Sequence, residues 1–72
     1  MRYAVVLEKS ESGYGAYVPD LPGCVAVGDT EAETLTLIRE AIEFHLDGLR
    51  QDGDPVPLPS ARAEYVEVAT AA

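Results

Sequence analysis

The sequence is poor in the residues that crosslink a chain or anchor it in a membrane. Its 72 residues include no tryptophan, one cysteine, one methionine and one phenylalanine. A single cysteine excludes an internal disulfide bond, and we interpret Cys24 as a small strand residue. No apolar run is long enough to span a bilayer, and no signal-like segment precedes the first predicted strand. We therefore expect a cytoplasmic protein with no membrane partner.

Basic residues are also scarce. Five Lys and Arg stand against 13 Asp and Glu, so the formal net charge at pH 7 is −8. Such a surface repels phosphate backbones, and direct nucleic-acid binding is not expected. It can attract a basic protein, although an acidic excess also simply keeps a small domain in solution. A chain of this length buries only about 60% of the surface that its unfolded form exposes, which favours self-association.

The longest predicted element is a single helix over residues 30–53. Thr30 and Glu33 have the spacing of a capping box, in which each side chain bonds the backbone N–H of the other residue. Gly53 can adopt the left-handed conformation that ends a helix, and Pro55 prevents its continuation. Apolar residues recur at steps of three and four and predict one buried stripe, formed by Leu35, Ile38, Ile42, Leu46 and Leu49.

A second apolar feature lies on the opposite side of this helix. Leu37 and Phe44 fall there at about 100° per residue, with Thr34, Ala41 and Gly48 beside them. Isolated exposed apolar side chains are common on any protein surface. Small residues beside a Phe and a Leu also make a flat apolar strip against which another chain can pack. Both interpretations stay open.

Four strands are predicted around the helix, three before it and one after it. Their ranges are 3–7, 14–18, 24–27 and 65–68. The first strand is apolar throughout, which favours a central position in the sheet. The predicted fold class is α+β in the order β-β-β-α-β, with a mostly antiparallel sheet of order 3-2-1-4 and the helix on one face. Residues 1–72 form a single domain, and the uncovered sheet face again favours a second chain.

The side chains that carry most enzyme chemistry form no convincing cluster. Two-metal catalysis needs converging carboxylates, and the first strand has none before Glu8 at its end. Glu40, Glu43 and Asp47 follow one side of the helix, where carboxylates are usually solvated. His45 has no other histidine or cysteine at ligand spacing. We therefore predict no catalytic residue, metal or cofactor, and we do not expect an enzyme.

Several motifs are spread over nearly the whole chain. They are Tyr3-x-Val5 with Glu8, Gly13-Tyr14-x-Ala16-x-Val18-Pro19-Asp20-Leu21-Pro22-Gly23-Cys24, Gly28-Asp29-Thr30-x-x-Glu33, Glu40-Ala41-Ile42 and Val56-Pro57-x-Pro59. Together they resemble the HicB-like antitoxins, and the proline-aspartate-leucine-proline-glycine corner is the most specific part of the resemblance. Members of that family are similar to a truncated RNase H fold of three antiparallel strands, a helix and a fourth strand.

The resemblance implies a type II antitoxin. Such a protein binds and blocks a HicA-like toxin, a basic RNA-binding ribonuclease with a catalytic histidine, and the net charge of −8 fits that partner. Many members continue into a DNA-binding segment beyond the fourth strand, and we expect no C-terminal DNA-binding domain here. The chain departs from the family's helix pattern at Thr34, where alanine is usual, and at Leu37, where asparagine is usual.

The predicted function is therefore a non-catalytic antitoxin that forms a dimer or a tetramer. An alternative is a solitary homo-oligomer without a toxin that binds a small ligand between subunits. A third hypothesis, a residual metal-dependent nuclease, would require Glu8. The candidate protein-binding residues are Asp20, Leu21, Leu37, Glu40, Ala41 and Phe44.

Overall fold

A computed structural model describes residues 1–70, so residues 71 and 72 of the predicted domain lie outside the described part. Three strands precede one helix in the chain. The elements are β1 (Val6–Ser10), β2 (Gly13–Tyr17), β3 (Val25–Gly28) and α1 (Glu31–Gln51).

The strands form one antiparallel sheet of order β1-β2-β3. Val6 pairs with Tyr17 across β1 and β2, and Tyr17 pairs with Val25 across β2 and β3. The predicted α+β class and its three antiparallel strands are confirmed. Within the described residues β2 is the central strand and β1 is an edge, which corrects the central position predicted for the first strand.

The predicted fourth strand is absent from the structure. Residues 54–70 contain no strand, so the order 3-2-1-4 is not confirmed. A strand needs a neighbouring backbone to pair with, and the alternating sequence at residues 65–68 does not provide that neighbour. The sequence pattern at residues 65–68 predicts a preference for extended backbone. Strand pairing also requires that the fold bring another strand beside this segment.

The corner between β2 and β3 turns into the core. The Val18 N–H donates to the Cys24 carbonyl at 3.2 Å, and the Leu21 N–H donates to the Val18 carbonyl at 3.0 Å. Two prolines in this loop have fixed φ and no N–H to satisfy. The loop therefore closes on itself and buries the Leu21 side chain completely. The buried core comprises Ala16, Val18, Leu21, Cys24, Ile38 and Leu46.

The start of α1 confirms part of the predicted capping box. Thr30 has an extended backbone, and its hydroxyl accepts a hydrogen bond from the Glu33 N–H at 3.1 Å. At the other end Gly53 has a φ of 73°, and the Asp54 N–H donates to the Leu49 carbonyl at 2.9 Å.

The buried stripe of α1 is rotated relative to the prediction. Thr34 has no exposed surface, whereas Leu35 is 44% exposed. The reason is Gly28 at the end of β3, because a Cβ there would lie 2.6 Å from the Thr34 Oγ1. The missing side chain lets α1 approach β3 closely, and the Thr34 hydroxyl stays satisfied by donating to the Thr30 carbonyl at 2.7 Å.

Candidate protein-binding surfaces

One flank of α1 presents an exposed aromatic ring beside a row of carboxylates. Phe44 is 83% exposed and Leu37 is half-buried. Residues seven apart on a helix are offset by only about 20°, so these two side chains form one row. Glu33, Glu40 and Asp47 are exposed and form a parallel row next to it. We call these five residues the acidic–apolar strip.

The structure brings three of the six predicted binding residues together in this strip, namely Leu37, Glu40 and Phe44. Ala41 lies at its margin, because the Ala41 side chain is half-buried and packs against the core. Only the exposed part of the Ala41 side chain is available to a partner. Helical periodicity placed Thr34 and Ala41 beside Leu37 and Phe44, and the structure buries Thr34 completely and Ala41 in part. Binding by the remaining residues stays a prediction.

Leu21 lies in the core and not at the surface. Its side chain has no exposed area, so it cannot contact a partner while this fold is intact. The physical reason is the internally hydrogen-bonded corner, which lets the side chain join the core cluster with residues such as Ile38 and Leu46. The corner was predicted from the sequence, whereas the burial of this side chain depends on contacts with residues far along the chain.

Asp20 holds the C-terminal part of the chain to the corner. Its carboxylate accepts hydrogen bonds from the Ser60 N–H at 2.9 Å, the Ser60 hydroxyl at 2.9 Å and the Ala61 N–H at 3.1 Å. These bonds, led by the Ser60 N–H, hold the pKa of Asp20 below its usual value of 3.8. We call this contact the Asp20 latch. Its partners lie 40 and 41 residues away, so no local pattern signals it.

The opposite flank of α1 borders an apolar groove that the sequence analysis missed. The groove lies between the N-terminal residues and the helix and has a volume of about 460 Å³. Rotation of the buried stripe creates it, because the half-exposed Leu35 forms part of its wall. The lining residues are Met1, Tyr3, Val5, Leu35, Ile38, Arg39, Ile42, Glu43 and Leu46.

The chemistry available in the described residues is limited. Cys24 is buried, and burial raises the pKa of its thiol, which disfavours the reactive thiolate. Among residues 1–70, no three His, Cys, Asp or Glu side chains gather as a metal site would require. No helix in that range combines the length and the apolar character needed to cross a membrane.

Comparison with known protein families identifies the family to which this chain belongs. The family described as the HicB-like antitoxin of the bacterial toxin-antitoxin system matches residues 3–70. The chain belongs to this family. The resemblance inferred from the sequence motifs is therefore confirmed.

Relatives and a solved structure agree with this assignment. Antitoxin HicB 2 of Photorhabdus laumondii is 36% identical over 94% of this chain and 50% of its own length. A UPF0150 protein of Thermoplasma acidophilum is 39% identical over 85% of this chain and 90% of its own length. A chain in the solved HicA3 and HicB3 toxin-antitoxin complex is 32% identical, with a TM-score of 0.70 over 82% of this chain and 70% of that chain.

The matched relatives differ in length. An uncharacterized 14.9 kDa protein of Haemophilus phage HP1 is 38% identical over 92% of this chain but only 50% of its own length. This chain thus spans about half of that protein and of the Photorhabdus antitoxin. The prediction that no DNA-binding domain follows stays a prediction.

Proposed function

We propose that this protein is a non-catalytic antitoxin that binds and neutralises a basic, HicA-like ribonuclease toxin. Membership of the HicB-like family supports the antitoxin role, and the HicA3 and HicB3 complex supports a toxin of the HicA type as partner. The observation that carries the proposal is the acidic–apolar strip of α1. It combines an anchor for hydrophobic contact with charges of the sign that a basic partner requires.

Phe44 is the expected anchor of the contact. A large aromatic side chain that is 83% exposed leaves most of its apolar area in water. Burying it against a partner contributes about 1.5–3 kcal/mol. Aromatic anchors that pair with a pocket in the partner commonly dominate the energy of an interface.

The carboxylates beside Phe44 supply orientation and speed of association. Glu33 and Glu40 are exposed, and Asp47 is partly balanced by Arg50 at 3.3 Å. An exposed pair of this kind contributes little to stability, so a basic partner can replace Arg50 at small cost. A toxin surface that binds RNA phosphates would meet the same negative charges here, and the strip would compete with RNA for it.

The test is inhibition of the toxin by matched variants. A HicA-like protein, where the neighbouring reading frame encodes one, is incubated with RNA and increasing amounts of the wild-type protein, Phe44→Asp or Leu58→Asp. Leu58 is 79% exposed and lies outside α1, so it controls for an added charge. Phe44→Asp should weaken inhibition roughly 10- to 100-fold, whereas Leu58→Asp should inhibit like the wild type. Equal inhibition by Phe44→Asp would contradict the assignment of the strip.

The alternative of a solitary homo-oligomer that binds a small ligand rests on the groove. Its volume of about 460 Å³ lies in the range of small-molecule sites. Such sites also present a few converging polar groups, and here Arg39 and Glu43 are the charged side chains of the lining. The Tyr3 hydroxyl already donates to the Pro57 carbonyl. A mostly apolar groove suits a polypeptide segment better than a polar metabolite.

A further inference from the structure

The segment after the Asp20 latch is exposed and contains neither helix nor strand. Residues 62–70, which we call the C-terminal arm, are exposed at every position. Tyr65 is 100% exposed, Val66 78% and Val68 69%. The Arg62 guanidinium contacts the Glu64 carboxylate at 2.6 Å. Side chains two residues apart share one side of a strand, so in a strand Val66 and Val68 would follow Arg62 and Glu64 on the same side.

The arm projects from the body of the protein. The radius of gyration is 14.6 Å, and the molecule measures 53 × 27 × 17 Å. A compact chain of this length has a radius of gyration of about 11 Å. The exposed backbone N–H and C=O groups of the arm and its valine side chains are available to a partner, as on an unpaired strand edge.

The same molecule has an unpaired strand edge near an apolar groove. Among the described residues β1 pairs with β2 alone, so its second edge is free. The helix packs over β2 and β3, and the groove opens between α1 and the N-terminal residues that lead into β1. The groove is lined by Met1, Tyr3 and Val5, which precede β1, so an added strand would have to run along the edge of β1 and on beside these residues. In that position it would place every second side chain in the groove.

The apolar and charged side chains of the C-terminal arm are complementary to those that line the groove. In a strand, Val66 and Val68 would share one side, and their apolar side chains suit the apolar lining formed by residues such as Val5, Leu35 and Ile42. Arg62 and Glu64 precede them on that side. They are opposite in sign to Glu43 and Arg39 at the groove, so the polar ends of the two surfaces can also pair.

We infer that the C-terminal arm of one copy adds as a strand to the free edge of β1 in a second copy, with Val66 and Val68 in its groove. In a two-fold dimer the exchange is reciprocal, so both arms and both edges are satisfied at once. The occupant is a second copy because the Asp20 latch holds Ser60 and Ala61, and Arg62 and Ala63 still border residues 2–4 of their own chain. Tyr65, Val66 and Val68 beyond them are exposed, and the molecule as a whole is elongated. This inference does not depend on a toxin.

The first test is the molar mass of the full chain by size-exclusion light scattering. The wild type should elute at twice the chain mass of 7.7 kDa. The double variant Val66→Asp/Val68→Asp should elute at the chain mass, with an unchanged helical circular dichroism spectrum. The matched control is Val27→Asp, because Val27 is 77% exposed on the sheet. A wild-type monomer, or a dimer broken only by Val27→Asp, would overturn the inference.

The second test distinguishes exchange from folding back within one chain. Leu35 lines the groove and Val68 belongs to the arm, so the double variant Leu35→Cys/Val68→Cys is oxidised at low protein concentration. Disulfide-linked dimers on a non-reducing gel, absent from the single variant Leu35→Cys, are the expected result. A crosslink within one chain would show an intramolecular fourth strand and overturn the inference. The absence of any crosslink would also overturn it.

Discussion

The two flanks of α1 differ in shape, in charge and in the structure beside them. The acidic–apolar strip is convex, with one protruding aromatic ring and three carboxylates. The groove on the other flank is concave, mostly apolar and adjacent to a free strand edge. A convex acidic surface suits a basic partner with a pocket, whereas a concave apolar one beside a strand edge suits another strand. One helix thus offers two surfaces that need not compete.

The largest expected effect concerns the core between the two flanks. Leu21→Ala removes a side chain that has no exposed area and should lower the free energy of unfolding by about 2–5 kcal/mol. In a domain this small, such a loss should unfold a large part of the population and so remove both surfaces of α1 together. Chemical denaturation measures it, with Leu37→Ala as the control at a half-buried position. A loss for Leu21→Ala no greater than for Leu37→Ala would show that the corner is not part of the core.

The next effect concerns the distance between α1 and the sheet. Gly28→Ala would place a methyl group 2.6 Å from the Thr34 Oγ1, so the helix must shift and both flanks should move. We expect a loss of about 1–3 kcal/mol in the free energy of unfolding.

The matched control is Gly48→Ala within α1. A Cβ there meets no atom within 4 Å, so the variant should gain up to about 1 kcal/mol from helix propensity. Thermal unfolding of both variants checks the pair. Equal stability of the two alanine variants would contradict the close contact between Gly28 and Thr34.

Substitutions in the acidic–apolar strip should change the free energy of unfolding less than substitutions in the core. Leu37→Asp and Phe44→Asp should weaken association with the toxin and leave the domain folded, and for Phe44 the change in unfolding free energy should stay within about 0.5 kcal/mol. Circular dichroism and denaturation of the isolated protein measure this. Unfolding by Phe44→Asp would place the ring in the core, against its 83% exposure.

The smallest effect concerns the base of the C-terminal arm. The pKa of Asp20 in the folded state is below 3.8, so the latch stabilises the protein above the unfolded-state pKa and loses that contribution as the pH falls through the folded-state value. Asp20→Asn should remove this dependence. Amide exchange at Ser60 and Ala61 measures this when each observed rate is divided by the intrinsic rate at the same pH, because intrinsic exchange itself changes with pH. The protection obtained in this way should fall in the wild type as the pH drops below about 4 and should be low at every pH in the variant. Wild-type protection that does not change with pH would contradict the latch.

Local signals predicted much of this fold. The Thr30 cap, the Gly53 end and the three antiparallel strands depend on residues a few positions apart, and the structure has them all. Helical periodicity also placed Leu37 and Phe44 in one row, although it put the buried Thr34 beside them. Such features depend on steric and hydrogen-bonding preferences that neighbours in the sequence determine.

Features that depend on distant contacts were not predictable from pattern. Burial of Thr34 in place of Leu35 depends on the missing side chain of Gly28. The Asp20 latch joins residues 40 positions apart. The apolar alternation in residues 65–68 predicts a strand, but its pairing partner is not set by that alternation. In each case the feature depends on a contacting residue that is distant in the sequence or, by our inference, belongs to a second copy.

The most direct test of the account is the mass of the toxin complex formed by two variants. Size-exclusion light scattering is run on the toxin mixed with Phe44→Asp and, separately, with Val66→Asp/Val68→Asp. We predict that Phe44→Asp stays a homodimer and loses the toxin, whereas the arm variant becomes a monomer that still binds the toxin. If one of these variants lost both associations, a single surface would serve both partners, and the assignment of separate functions to the two flanks of α1 would be wrong.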